Sequence, residues 1–107
     1  MILRLRSSVY STVSMTSKLD FSKVESLRQH MLLRGEDMAS LFQVSRMTYY
    51  SWVTGKSGIR KRNEARVKRV LKKLVRAVKD NDWPNPEAVA ASPEQRKQLI
   101  KEYVERE

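Results

Sequence analysis

The chain has 107 residues, 40% of them apolar, and carries 22 Lys or Arg against 12 Asp or Glu, for a net charge of +10. One modest domain fits that length, and the Leu-, Lys-, Arg-, Glu- and Gln-rich runs with few turn signals predict an all-α fold. With no cysteine, one histidine (His30) and no glycine-rich phosphate loop, the sequence offers no disulfide framework, metal site, cofactor site or catalytic centre, and no apolar run approaches the ~20 residues of a membrane span.

The charge is concentrated. Residues 44–79 hold twelve Lys or Arg and one acid, Glu64, a net of +11, whereas residues 1–43 carry +2 and residues 80–107 carry −3. A basic segment of this density is the electrostatic footprint of a polyanion binder, because a merely solvated helix face mixes its signs.

Residues 1–17, rich in Ser and Thr, read as a flexible N-terminal arm. The first helix is predicted to start near Ser22, where Ser22 and Glu25 have the spacing of a capping box, and to end at Gly35. Phe21, Val24, Leu27 and Met31 draw its apolar stripe. A short second helix, about Glu36 to Gln43, places Glu36 and Asp37 where the helix dipole favours negative charge. After a tight turn at Gln43–Val44, Ser45 caps a third helix through the N–H of Thr48, and that helix runs to Thr54 and stops at Gly55.

Lys56–Arg62 reads as a basic linker. A long amphipathic helix, Asn63 to Asp80, follows, with Val67, Val70, Leu71, Leu74, Val75 and Val78 on one side and cations on the other. The stretch "DNDWPNPE" breaks it. Asn85–Pro86 and Ser92–Pro93 each read as an N-cap followed by proline at the first helical position. The last helix carries Leu99, Ile100, Tyr103 and Val104 on one side. The expected organisation is therefore a small all-α helical bundle at residues 18–79, with a helix-turn-helix and the long basic helix, followed by an acidic helical segment at 80–107.

The pair of short helices meets the demands of a helix-turn-helix. Ala39 supplies the small residue for a close crossing, and Met38, Phe42 and Val44 lock the pair. Tyr49 and Trp52, three apart with Val53 beside them, face inward as core. That turns Ser45, Arg46, Met47, Tyr50, Ser51 and Thr54 outward.

The stretch "VESLRQHMLLRGEDMASLFQVSRMTYYSWVTGK", Val24 to Lys56, resembles the phage Cro and lambda-repressor helix-turn-helix family, most closely in "VSRMTYYSWVTGK". The resemblance places the family's base-reading positions on Arg46, Met47, Tyr50 and Ser51, and its phosphate-contacting positions on Ser45, Thr48, Thr54 and Lys56. Arg60, Lys61 and Arg62 of the basic linker are added as a phosphate clamp. It implies a sequence-specific regulator of double-stranded DNA in a bacterial or phage-infected cell, located in the cytoplasm at the nucleoid and reading the major groove with residues 45–54. The sequence departs from the family at Gln43, where glycine is common and a more strained turn is expected. It departs again at Tyr49, in place of an inward aliphatic, and at Gly35, in place of a polar residue that opens the second helix.

Two other functions compete with this reading. One is an architectural or DNA-packaging protein. The other is a membrane-surface or protein-docking module built on the long basic helix, whose apolar stripe lacks the Trp and Phe such modules use. The face of Leu99, Ile100, Tyr103 and Val104 either covers the long helix or pairs two subunits; pairing, a homodimer through residues 80–107, is favoured because one recognition helix rarely reads enough bases alone.

Overall fold

The computed structural model describes residues 19–106, so the arm expected at 1–17 lies outside the described residues. Among these there are six helices: α1 (Phe21–His30), α2 (Gly35–Phe42), α3 (Arg46–Thr54), α4 (Lys61–Lys79), α5 (Pro86–Ala90) and α6 (Pro93–Glu105). No strand occurs among the described residues, and the all-α expectation is met.

The hub is α2, which packs against α3, α4 and α6. Four of its eight residues, Met38, Ala39, Leu41 and Phe42, are buried hydrophobics. The close crossing expected at Ala39 is present: the methyl is buried, and the Ala39 carbonyl accepts the Val44 N–H at 2.9 Å as the chain turns toward α3. Tyr49 and Trp52 face inward, as their spacing predicts, into an aromatic cluster with Phe21 and Phe42 whose ring centroids lie 5.8–6.2 Å apart. The long helix buries Val67, Val70, Leu71, Leu74, Val75 and Ala77; Val78 is half-buried.

Three boundaries differ from the sequence reading. The α1 cap is Asp20, whose carboxylate accepts the Ser22 N–H at 3.0 Å; Glu25 is engaged elsewhere and leaves no box for Ser22. Gly35 does not stop α1 but opens α2. The stop falls at Met31 and Leu32, where Leu32 takes a left-handed conformation (φ 63°) and Leu33 N–H bonds back to the Arg28 carbonyl at 3.1 Å. Lys61 and Arg62 are not linker residues: they form the first turn of α4, which begins two residues early.

Gln43 sits in the left-handed region too, at φ 61° and ψ 43°. An L-residue there carries backbone strain of about 1–2 kcal/mol, because its Cβ crowds the following carbonyl oxygen. Gln43→Gly removes that strain and regains part of it as unfolded-chain entropy, so a net gain of about 0.5–1 kcal/mol is expected. Urea melts of the two proteins measure it; a loss of stability would mean the Gln43 side chain holds the turn.

The acidic segment shares the core of the rest. Trp83, Ala88, Ile100 and Val104 belong to one buried cluster with Val24, Met38 and Leu74. The Trp83 indole donates from Nε1 to the Met31 carbonyl at 2.8 Å, and Lys73 Nζ caps the end of α6 at the Val104 carbonyl at 2.6 Å. Ile100 and Val104, the centre of the face expected to pair two subunits, are thus closed within one chain, with Leu99 and Tyr103 packed beside them. Of the two roles open to this face, covering the chain's own core is the one these contacts fill. Asn85 and Ser92 cap α5 and α6 as expected, accepting from Ala88 N–H at 2.7 Å and Gln95 N–H at 3.2 Å.

Candidate nucleic-acid interface

The position of α3 is fixed from behind by a charged network. The Tyr49 hydroxyl, on the inward face of α3, donates to Glu25 Oε2. Glu25 also accepts two bonds from the Arg28 guanidinium, at 2.8 and 2.9 Å, and Arg28 Nη1 reaches the Leu33 carbonyl at 2.8 Å. One cluster therefore ties α3 to α1 and to the strained turn before α2. Burial alone raises the Glu25 carboxyl, but the bonds from Arg28 and Tyr49 outweigh it and hold the group below its ordinary 4.5. Burial and the Glu25 carboxylate together push the Tyr49 phenol well above its ordinary range.

A depressed carboxyl stabilises the fold fully above its unfolded value and loses that contribution as pH falls through the folded value. Glu25→Gln is expected to cost about 1–2 kcal/mol at pH 7, with the gap to the native chain closing below pH 4.5. Thermal melts from pH 3 to 7 test this; a gap that does not change with pH would show that shape, not charge, matters at this position.

The start of α2 is held in the same way. Asp37 is buried, and its carboxylate accepts from the Arg34 backbone N–H at 2.8 Å and from the Arg34 guanidinium at 3.0 and 3.2 Å. A buried carboxylate is tolerated only with such partners. Arg34 reaches on to Glu94 at the start of α6, 3.1 Å away.

The outer side of α3 is held in place but left uncovered. Arg46 is exposed, and Met47 is 80% exposed, the most exposed large apolar residue described. Water disfavours such a placement, so Met47 is available to a partner surface. Tyr50 is 42% exposed, but it does not stand straight out. Its hydroxyl end lies over Gly35, so close that a Cβ there would collide with Tyr50 Oη. The absent side chain of Gly35 is the space Tyr50 uses.

The hydroxyls divide by their donors. Ser45 caps α3 by accepting the Thr48 N–H at 3.0 Å, and its own hydroxyl shares a proton with Thr48 Oγ1 at 2.9 Å. The pair therefore keeps one hydroxyl proton for an outside acceptor. Thr54 donates to the Tyr50 carbonyl at 2.9 Å, so its proton is engaged within the helix and a phosphate cannot use it without competition. Ser51 is half-buried and faces the groove described next.

Beside α3 runs a groove of about 480 Å³, lined among others by Ser45, Thr48, Ser51, Arg60, Arg62 and Asn63. It brings together residues from both expected groups, base-reading and phosphate-contacting. Arg46, Met47, Tyr50, Thr54, Lys56 and Lys61 are not among its lining residues. Ser57 and Asn63 also line it and were not singled out from sequence; their closeness to the basic cluster was the only signal.

At the far end of the groove, Arg60, Lys61 and Arg62 occupy the cap and first two positions of α4, which has no side-chain cap bond. Cations there face the positive end of the helix dipole and one another, an arrangement that destabilises the free protein. A phosphate reverses the sign of both terms, since it pairs with the guanidinium groups and suits the dipole. The next hollow along α4, of about 320 Å³, shares Gln43 with the groove and adds Arg66, Arg69 and Lys73. Those three cations extend the basic surface beyond the expected set.

No group of three or more His, Cys, Asp or Glu that could hold a metal occurs among the described residues. Comparison with known proteins adds no kinship: no family model, curated protein or solved structure matches the chain.

Proposed function

We propose that the protein is a sequence-specific double-stranded DNA-binding regulator that lays α3 in the major groove. The observation that carries this reading is the pairing of two surfaces that are unfavourable in the free protein. One is the uncovered face of α3 with Arg46 and a largely bare Met47. The other is the cation-loaded, uncapped start of α4, whose Arg60 and Arg62 share a groove with Ser45, Thr48 and Ser51 of α3. Duplex DNA supplies what each lacks: base edges and thymine methyls for the first, phosphates for the second.

In this reading Arg46 bonds a guanine edge through its guanidinium fork, Met47 packs on a thymine methyl, and Ser51 meets a base edge from the groove wall. Tyr50, seated over Gly35, contacts the sugar-phosphate rim beside the bases. The Ser45–Thr48 pair, Lys56, Arg60, Lys61 and Arg62 bind phosphates and supply most of the salt-sensitive affinity. A membrane-surface role has less support, since no described helix is long and apolar enough to cross a membrane and the apolar stripe of α4 is buried in the core.

Selection of bound sites from random duplex DNA at fixed salt tests the reading. Enrichment of one short motif is the expected result. A bound pool as random as the starting pool would defeat it, and a palindromic motif would report two copies on one site.

A further inference from the structure

The outward face of α4 beyond its first turn is not needed for the groove beside α3. Arg62, Arg69, Lys72, Arg76 and Lys79 are all exposed and recur at steps of 7, 3, 4 and 3, which puts them on one side of the helix. Ala65 fills the gap in that row. The only acid within α4, Glu64, is turned aside to Lys68 at 3.2 Å. Lys72, Arg76 and Lys79 border a shallow hollow of about 260 Å³ with Val75 and Asp80, and none of these lines the groove beside α3.

Helix stability accounts for only part of this row. Arg76 and Lys79 lie in the last turn, where cations suit the negative end of the dipole. Arg69 and Lys72 lie farther back, beyond the reach of that effect. Nor does a duplex on α3 neutralise the far end of the row. The body of α4 packs on α2 and α6 and carries the row away from α3. Arg76 is 14 residues past Arg62, about 21 Å along the axis at 1.5 Å per residue. That exceeds two Debye lengths of about 8 Å at physiological salt.

We infer that the distal end of this row, Lys72, Arg76 and Lys79, holds the phosphate backbone of a second DNA duplex, so that one protein molecule bridges two DNA segments. The inference rests on the reading of α3 for the first duplex. The row's chemistry selects the occupant. It has no exposed aromatic on which the bases of a single strand would stack. It presents no large apolar anchor for a lipid surface, since Val75, the apolar residue of its hollow, is buried. A straight line of cations about 5 Å apart along the helix suits a linear polyanion with one charge per ~1.7 Å of axis. Asp80 at the end of the row sets its limit. The contact carries no sequence information, so the first duplex is chosen by its bases and the second by proximity.

The test uses the full chain, a bead-tethered duplex bearing a selected site, and a second labelled duplex of unrelated sequence. Native protein is expected to capture the second duplex, with a capture that falls steeply as salt rises. The triple variant Lys72→Gln, Arg76→Gln, Lys79→Gln is expected to lose capture by about tenfold or more at physiological salt. It should keep the native base preference and bind a single duplex within about twofold of native. Its fold is checked by thermal melting, and the three exposed side chains leave the core untouched.

Three results would overturn the inference. One is native protein that saturates the first duplex and captures nothing. Another is capture that survives the substitutions, as it would if two copies of the protein did the bridging. The third is a variant that binds one duplex weakly with a shortened footprint, which would lay the row on the same DNA as α3. Native protein without base preference would instead defeat the reading of α3, and capture on any tethered duplex would still decide the role of the distal row.

Discussion

Trp83→Ala is expected to destabilise the whole protein by about 3–5 kcal/mol, the usual range for removing a buried aromatic. Trp83 is 3% exposed, and its indole N–H is bonded to the Met31 carbonyl at the end of α1. Truncation empties the space beneath that turn and leaves the buried carbonyl without its partner. A domain of this size has only about 5–15 kcal/mol in total, so the loss takes a large share of it. The effect should reach the DNA-binding half, because one core cluster runs through Trp83, Met31, Met38 and Tyr49. A single, earlier denaturation transition is expected, followed at once by α-helical content and by Tyr and Trp fluorescence. Two transitions, with α1–α3 melting as in the native chain, would make residues 80–106 an appendage. Trp83→Phe separates the causes: it keeps most of the buried ring, loses the hydrogen bond, and should cost only about 1–3 kcal/mol.

The features legible in the sequence were those set by neighbours a few residues apart. Ser45, Asn85 and Ser92 cap their helices because the donor each satisfies lies three residues on. The stripe from Val67 to Val75 is read directly from its spacing, and so is the inward turn of Tyr49 and Trp52. Gly35 misled because its freedom suggested a helix stop. The left-handed conformation falls instead on Leu32, a residue with no preference for it, while Gly35 is the floor under Tyr50. Only a tertiary contact could reveal either role. The same holds for Trp83 on Met31, 52 residues apart, and for Arg34 on Glu94, 60 apart. The candidate interface was legible in its outward set, since α3 is short and its inward residues are unmistakable. The groove was less so. Joining Ser51 to Arg62 requires α4 to begin at Lys61, and nothing in "GIRKRNEA" announces a helix without a side-chain cap.

Arg46 and Lys61 should separate two kinds of basic residue when each is replaced by alanine. Arg46 is the first residue of α3, exposed beside Met47, where a planar fork reaches the edge of a guanine. Its loss is expected to cost about 1–3 kcal/mol on the preferred site and to relax selectivity at one base pair. Lys61 is the first residue of α4, exposed and flanked by Arg60 and Arg62 against the dipole of its own helix. Its loss should weaken all duplexes about equally and reduce the slope of log affinity against log salt by about one unit. It should also leave the free protein no less stable, because a cation at that end of the helix is unfavourable without an anion. That third effect distinguishes a phosphate clamp from a structural lysine. Competition gel shifts with single-base site variants, repeated over a range of salt, give the first two quantities, and thermal melting of the free proteins gives the third. Uniform weakening by Arg46→Ala, with base preference intact, would remove α3 from the major groove. A Lys61→Ala protein that melts lower than native would place Lys61 in the fold rather than on the DNA.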